Sequence, residues 1–293
     1  GADVTTDDFF VAFDSGSTGT ATITGSGSTL NADRQLLVGR FGDGTLSVQS
    51  GADVTTGNLR VGINTGSPSI ATTTVTGSGT TLNTGKARIG NDGTGTLNIL
   101  NNASFDSDDI VDVGKGSGDG TLLVDDATFT VTAGNADLNI ASGTNSSTGT
   151  VTFRNNASVT INDDFFLGRD GDGTLTVESG ADVTTDDFFV AFDSGSTGTA
   201  TITGSGSTLN ADRQLLVGRF GDGTLSVQSG ADVTTGNLRV GINTGSPSIA
   251  TTTVTGSGTT LNTGKARIGN DGTGTLNILN NASFDSDDIV DVG

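Results

Sequence analysis

The chain has 293 residues with 47 glycines and 2 prolines, and 33 acidic against 13 basic residues give a formal charge of −20. Cysteine, methionine, histidine, tryptophan and tyrosine are all absent, which excludes a disulfide framework, thiolate metal sites and the commonest general base. The acid excess repels the phosphates of nucleic acid, and no run approaches the roughly 18 consecutive apolar residues of a membrane span.

In chain order, alternating segments open on a glycine-threonine pair or its substitute. They are Gly19-Thr20-Ala21-Thr22-Ile23, Gly44-Thr45-Leu46-Ser47-Val48, Ala71-Thr72-Thr73-Thr74-Val75 and Gly95-Thr96-Leu97-Asn98-Ile99, then Gly120-Thr121-Leu122-Leu123-Val124, Gly149-Thr150-Val151-Thr152-Phe153 and Gly173-Thr174-Leu175-Thr176-Val177. Gly198 restarts the series, because residues 1–114 reappear without a difference as 180–293, with 115–179 completing a 179-residue period. Seven short repeats of 24 to 29 residues thus fill one long period, the signature of a solenoid. Both copies stop in mid-pattern, so the sequence reads as a window on a longer array forming one continuous β-solenoid.

Within one repeat, Leu46 and Val48 alternate with Thr45 and Ser47, Val54 follows the Gln49-Ser50-Gly51 turn, and Leu59-Arg60-Val61 alternates again before Gly62. Runs of period two, rich in Val, Ile, Thr and Phe and broken by Gly, Asn, Asp and Ser, predict short strands with tight turns. Three such strands in about 25 residues cannot bury their apolar faces alone, so each coil stacks on the next with a rise of about 4.8 Å. The predicted fold is a parallel β-helix. Its interior ladders are Leu46, Val48, Val54, Leu59 and Val61, with Leu175, Val177, Val183, Phe188 and Val190 as equivalents. Pro68 and Pro247 fall in a repeated Gly-Ser-Pro-Ser turn.

The stretch from Leu37 through Gly39-Arg40-Phe41-Gly42-Asp43-Gly44-Thr45-Leu46-Ser47-Val48 to Thr55, and its twin from Leu167 through Gly173-Thr174-Leu175 to Thr184, resembles the repeats shared by autotransporter passengers and PEP-CTERM-associated surface proteins of bacteria. The resemblance implies a right-handed β-helix on or outside the bacterial surface.

Several motifs look like sites and read better as turns. Phe13-Asp14-Ser15-Gly16-Ser17 recurs as Phe192-Asp193-Ser194-Gly195-Ser196, like the paired signature of pepsin-like aspartic proteases. Seven rungs would hold Asp14 and Asp193 roughly 33 Å apart, and a turn in which Asp and Ser bond their own backbone fits better. Gly85-Lys86 lacks the spacing of a phosphate-binding loop, and Asp170-Gly171-Asp172-Gly173 lacks the closing glutamate of an EF-hand. Glu178 is the sole glutamate, and no unrepeated cluster stands out, so the sequence does not read as an enzyme. Asn101-Asn102, Asp125-Asp126 and Asn155-Asn156 occupy one corner of successive coils and read as a structural ladder. Asn102, Asn145 and Asn156 also begin glycosylation sequons.

Two surface columns are the candidate sites. Asp137, then Asp163 and Asp164, then Asp186 and Asp187 fall on successive rungs before Gln214, and their repulsion of about 1 kcal/mol per pair would be relieved by a hard, oxygen-preferring divalent cation such as Ca²⁺. The middle of the third strand reads Phe166, Phe189, Leu216, Arg239, Arg267 and Asp291, after Asn139. Polar members bar this column from the interior, which leaves Phe166, Phe189 and Leu216, with Phe10 and Leu37 in the first copy, as an apolar stripe open to water and a contact for lateral self-association. The functional expectation is an extracellular fibre, stalk or surface matrix built by end-to-end stacking. The alternative is an adhesin stalk presenting a cell- or glycan-binding site, for which the polar insertion 141–148 is the candidate loop.

Overall fold

A computed structural model describes residues 1–64, 69–242, 248–270 and 272–293. Pro68 and Pro247 lie outside these. Among the described residues there is no helix, and strands pair in parallel into two long sheets, so the chain is a β-solenoid. One sheet has eleven strands, from Thr18–Thr24 to Thr273–Leu279, each the first strand of a coil and seven residues long. The other is fifteen-stranded and holds everything else.

The second and third strands of a coil are continuous in most coils, as in Asp53–Ile63 and Ser158–Leu167, and separate in others, as in Ser104–Ser107 and Val111–Lys115. Register slips where they join, between Ile161 and Asp164 and between Thr185 and Asp187. A buried hydroxyl sits at the joint: Thr185 Oγ1 donates to the Asp163 carbonyl at 2.8 Å, and Thr56 Oγ1 to the Ala32 carbonyl at 3.0 Å. Each satisfies an acceptor on the neighbouring rung that would otherwise be buried alone. The eleven-stranded sheet has no such slips.

Corners explain the turn residues. Asn101, Asn102, Asn155 and Asn156 have φ between 54° and 63°, a region that Asn tolerates because its side chain bonds locally. Their side chains also bond along the axis, from Asn155 Nδ2 to Asp125 Oδ1 at 2.7 Å and from Asn102 Nδ2 to Asp126 Oδ2 at 3.2 Å. The structural ladder read from the sequence is therefore present. After the third strand the chain turns through another left-handed residue. At Gly114, with φ of 72°, a Cβ would lie 1.8 Å from the Thr148 carbonyl oxygen.

The predicted interior residues Leu46, Val48, Val54, Leu59 and Val61 and their equivalents are all fully buried in one continuous core. Aromatic rungs stack inside it, with Phe105 and Phe129 ring centroids 4.9 Å apart and the rings nearly parallel, and Phe165 and Phe188 also 4.9 Å apart. Among the described residues no helix is long and apolar enough to cross a membrane.

Candidate functional site

The acidic residues do stand on successive rungs. Asp164 pairs with Asp187, and Asp187 with Gln214. What the sequence alignment missed is the cation that each group meets. Arg213, one rung on, places Nη2 2.6 Å and Nε 3.2 Å from the two oxygens of Asp187, and also lies 3.5 Å from Asp164 and 3.9 Å from Asp186. Arg169 reaches Asp137 at 3.3 Å. Among the described residues no three carboxylates converge where a metal ion could sit. The repulsion expected to draw in Ca²⁺ is met by guanidinium groups instead, with Asp164, Asp186 and Asp187 all gathered around Arg213.

Residual strain falls on Asp164. Burial first, then the neighbouring Asp187, Asp163 and Asp137, push its carboxyl up to about 7 against the pull of Arg213. One of its oxygens is buried without a hydrogen bond. Asp137 is also raised, by burial and by Asp163, with Arg169 opposing. Arg213 is raised in turn by Asp187.

The third-strand column points outward as expected, but it is not open to water. Phe166, Phe189, Leu216 and Leu37 are buried, with the first three forming a small cluster separate from the main core, against which Phe192 and Ile242 pack. The expectation of an exposed stripe is corrected for a specific reason. Ala191 has φ of 59°, and this left-handed residue turns the chain so that Phe192 comes back edge-on over Phe166 and Phe189 at 4.9 and 5.0 Å. Arg169 lies over the Phe166 face at 4.4 Å. Phe10 is exposed because it stands on the first rung, although Phe13 covers it similarly at 4.7 Å.

The phenylalanine of the protease-like motif is thus a packing lid. The rest of the motif is a turn, in which Ser17 N and Oγ donate to the Asp14 carbonyl at 3.1 and 2.6 Å, and Ser196 repeats this with Asp193. The insertion at 141–148 closes likewise, with Ser147 donating to the Thr144 carbonyl and Gly143 N to Asp170 at 2.6 Å.

Between the apolar clusters the same outward column is cationic. Arg60 and Arg88 are in register on adjacent rungs, and burial, Arg88 and Arg40 lower the Arg60 guanidinium. The next rung carries Asp112, buried, with Lys115 Nζ at 2.7 Å, Ser142 Oγ at 3.0 Å and Arg88 Nε at 3.7 Å. Lys86, Arg88, Lys115, Asn139 and Arg169 line a shallow cavity of about 240 Å³ beside it. The arginine pair was legible in the sequence; the buried carboxylate with its cations was not.

Comparison of the chain with protein-family models, with curated proteins and with solved structures finds no match.

Proposed function

We propose that the chain is a segment of an extracellular structural fibre or stalk of the bacterial surface, lengthened by stacking one coil on the next. The observation that carries this reading is that the two identical copies continue one parallel stack without a break, each first strand pairing with the next across the joint between copies, and the copies also show what a neighbouring rung buries. Val4 is 40% exposed on the first rung, whereas its twin Val183 is fully buried. Val292 is 73% exposed on the last rung, whereas its twin Val113 is fully buried. Addition of a rung, from the same chain or another, converts one setting into the other, and each Val or Ile fully buried contributes about 1.5–3 kcal/mol.

A surface location is supported by the family resemblance. The adhesin alternative has no comparable support, since the polar insertion forms a tight turn tied to its neighbours. The test uses one substitution on the first rung. Val4→Asp should leave the β circular dichroism intact while abolishing concentration-dependent end-to-end oligomers seen by light scattering and electron microscopy. A parent chain that stays monomeric at high concentration, or oligomers indifferent to Val4→Asp, would refute rung-on-rung assembly of this segment.

A further inference from the structure

The outward face of the eleven-stranded sheet differs from every other surface of the molecule. Its second outward position is threonine in all eleven strands, from Thr20 through Thr150 and Thr174 to Thr275, paired residue to residue along the axis. The next outward position is Thr, Ser or Asn in every strand except for Leu123. The seven distinct coils of the long period all obey this, although their flanking outward positions range over Asp, Thr, Ile, Gln, Leu, Arg and Glu. Strand propensity alone does not impose it, because outward positions on the other sheet mix Thr with Asn and Asp, as at Thr55, Asn83 and Asp106.

Three further properties fit a ligand. None of the eleven threonine hydroxyls in the unbroken column has a hydrogen-bond partner among the described residues. No charged residue falls in either column, in a chain with 33 acidic and 13 basic residues. The sheet carries no register slip, whereas the other sheet slips repeatedly. The result is a regular grid of hydroxyls and methyls, about 4.8 Å apart along the axis and about 6.7 Å apart along each strand. Threonine is stiff at χ1, so little rotamer freedom is lost when such a grid is engaged.

A regular two-dimensional array suits a ligand with its own lattice. Neutrality excludes an ionic one, and the absence of aromatic side chains removes the usual platform for stacking sugar rings. The spacings lie close to oxygen repeats in hexagonal ice. Ten axial steps extend the two columns into a strip about 48 Å long and about 6.7 Å between its hydroxyl rows. We propose that this threonine face binds ice, by holding a sheet of ordered water in register with the crystal.

The test is partition of the purified 293-residue chain into a slowly growing ice hemisphere, together with thermal hysteresis. Thr150→Tyr/Thr174→Tyr/Thr199→Tyr breaks the regular grid at the centre of the face with a residue that strands accept. Thr55→Tyr/Asn83→Tyr places the same bulk on the other sheet. The parent chain and the second variant should enter ice at least tenfold more than a non-binding control, and the triple variant should fall to the control level. Should the triple variant lose its β circular dichroism, Thr174→Lys alone is read in its place. Exclusion of the parent chain from ice, equal partition of both variants, or a face that instead drives binding to microcrystalline cellulose or face-to-face dimerisation would overturn the proposal.

Discussion

Asp164 makes the solenoid respond to pH in the opposite sense to an ordinary ion-paired carboxylate. Its carboxyl titrates near 7 in the folded chain and close to 4 when unfolded. Between these values the folded state binds the additional proton, so this group's contribution is fully present below pH 4 and is lost as pH rises through 7. From pH 5 to 7 the ceiling is about 2.7 kcal/mol. The side chain is 24% exposed and Arg213 stands 3.5 Å away, so screening reduces the expected effect to about 1 kcal/mol. The Asp164→Asn variant supplies a permanently neutral side chain of the same shape. Urea denaturation followed by circular dichroism at pH 5 and pH 7.5 should find the variant gaining about 1 kcal/mol on the parent between the two pH values. A parent and variant with the same pH dependence would refute the account, since other carboxylates cancel in the comparison.

Four further outcomes follow from the same geometry. Val183→Asp should cost several kcal/mol by burying an unpaired charge, while Val4→Asp, the identical change in the identical local sequence, should shift the melting midpoint little. Phe129→Ala, which empties the centre of the Phe105–Phe129–Phe153 ladder, should cost about 3–5 kcal/mol in denaturant titration. At the Asn156 corner, where φ is 63°, glycine should be nearly neutral, whereas valine should destabilise by about 1–2 kcal/mol on thermal melting. Millimolar calcium and a chelator at equal ionic strength should give the same melting temperature, because Arg213 already neutralises the acidic column; a calcium-dependent rise would show that the guanidinium yields to the ion.

How much was legible in the sequence depended on how local the cause was. The interior ladders could be read because inward and outward residues alternate within one strand, so Leu46, Val48 and Val54 declare their side without reference to other coils. The corners could be read because Asn and Gly at left-handed positions answer to their own backbone. The joint between second and third strands could not, because it depends on Thr56 and Thr185 bonding carbonyls on the preceding rung, and an inward threonine in an apolar run gives no sign of that partner. Arg213 was missed for a related reason. It stands beside Gln214 in its own coil and meets Asp187 only after stacking.

The phenylalanine stripe failed at a subtler point. Its direction was read correctly, yet direction and exposure separate wherever a following turn folds back. The signal available was Ala191, which occupies the place that Gly114 or Gly168 takes in other coils and adopts the same positive φ; a left-handed residue immediately after a strand sends the next side chain over the column just completed. Phe10 and Phe189 then complete the argument, since each is followed by the same Val-Ala-Phe and still they differ, at 40% and 7% exposure. What differs is the rung on either side. In a solenoid each coil contacts only its neighbours, so the burial of a side chain on any rung is decided by the rungs on either side of it as much as by its own strand.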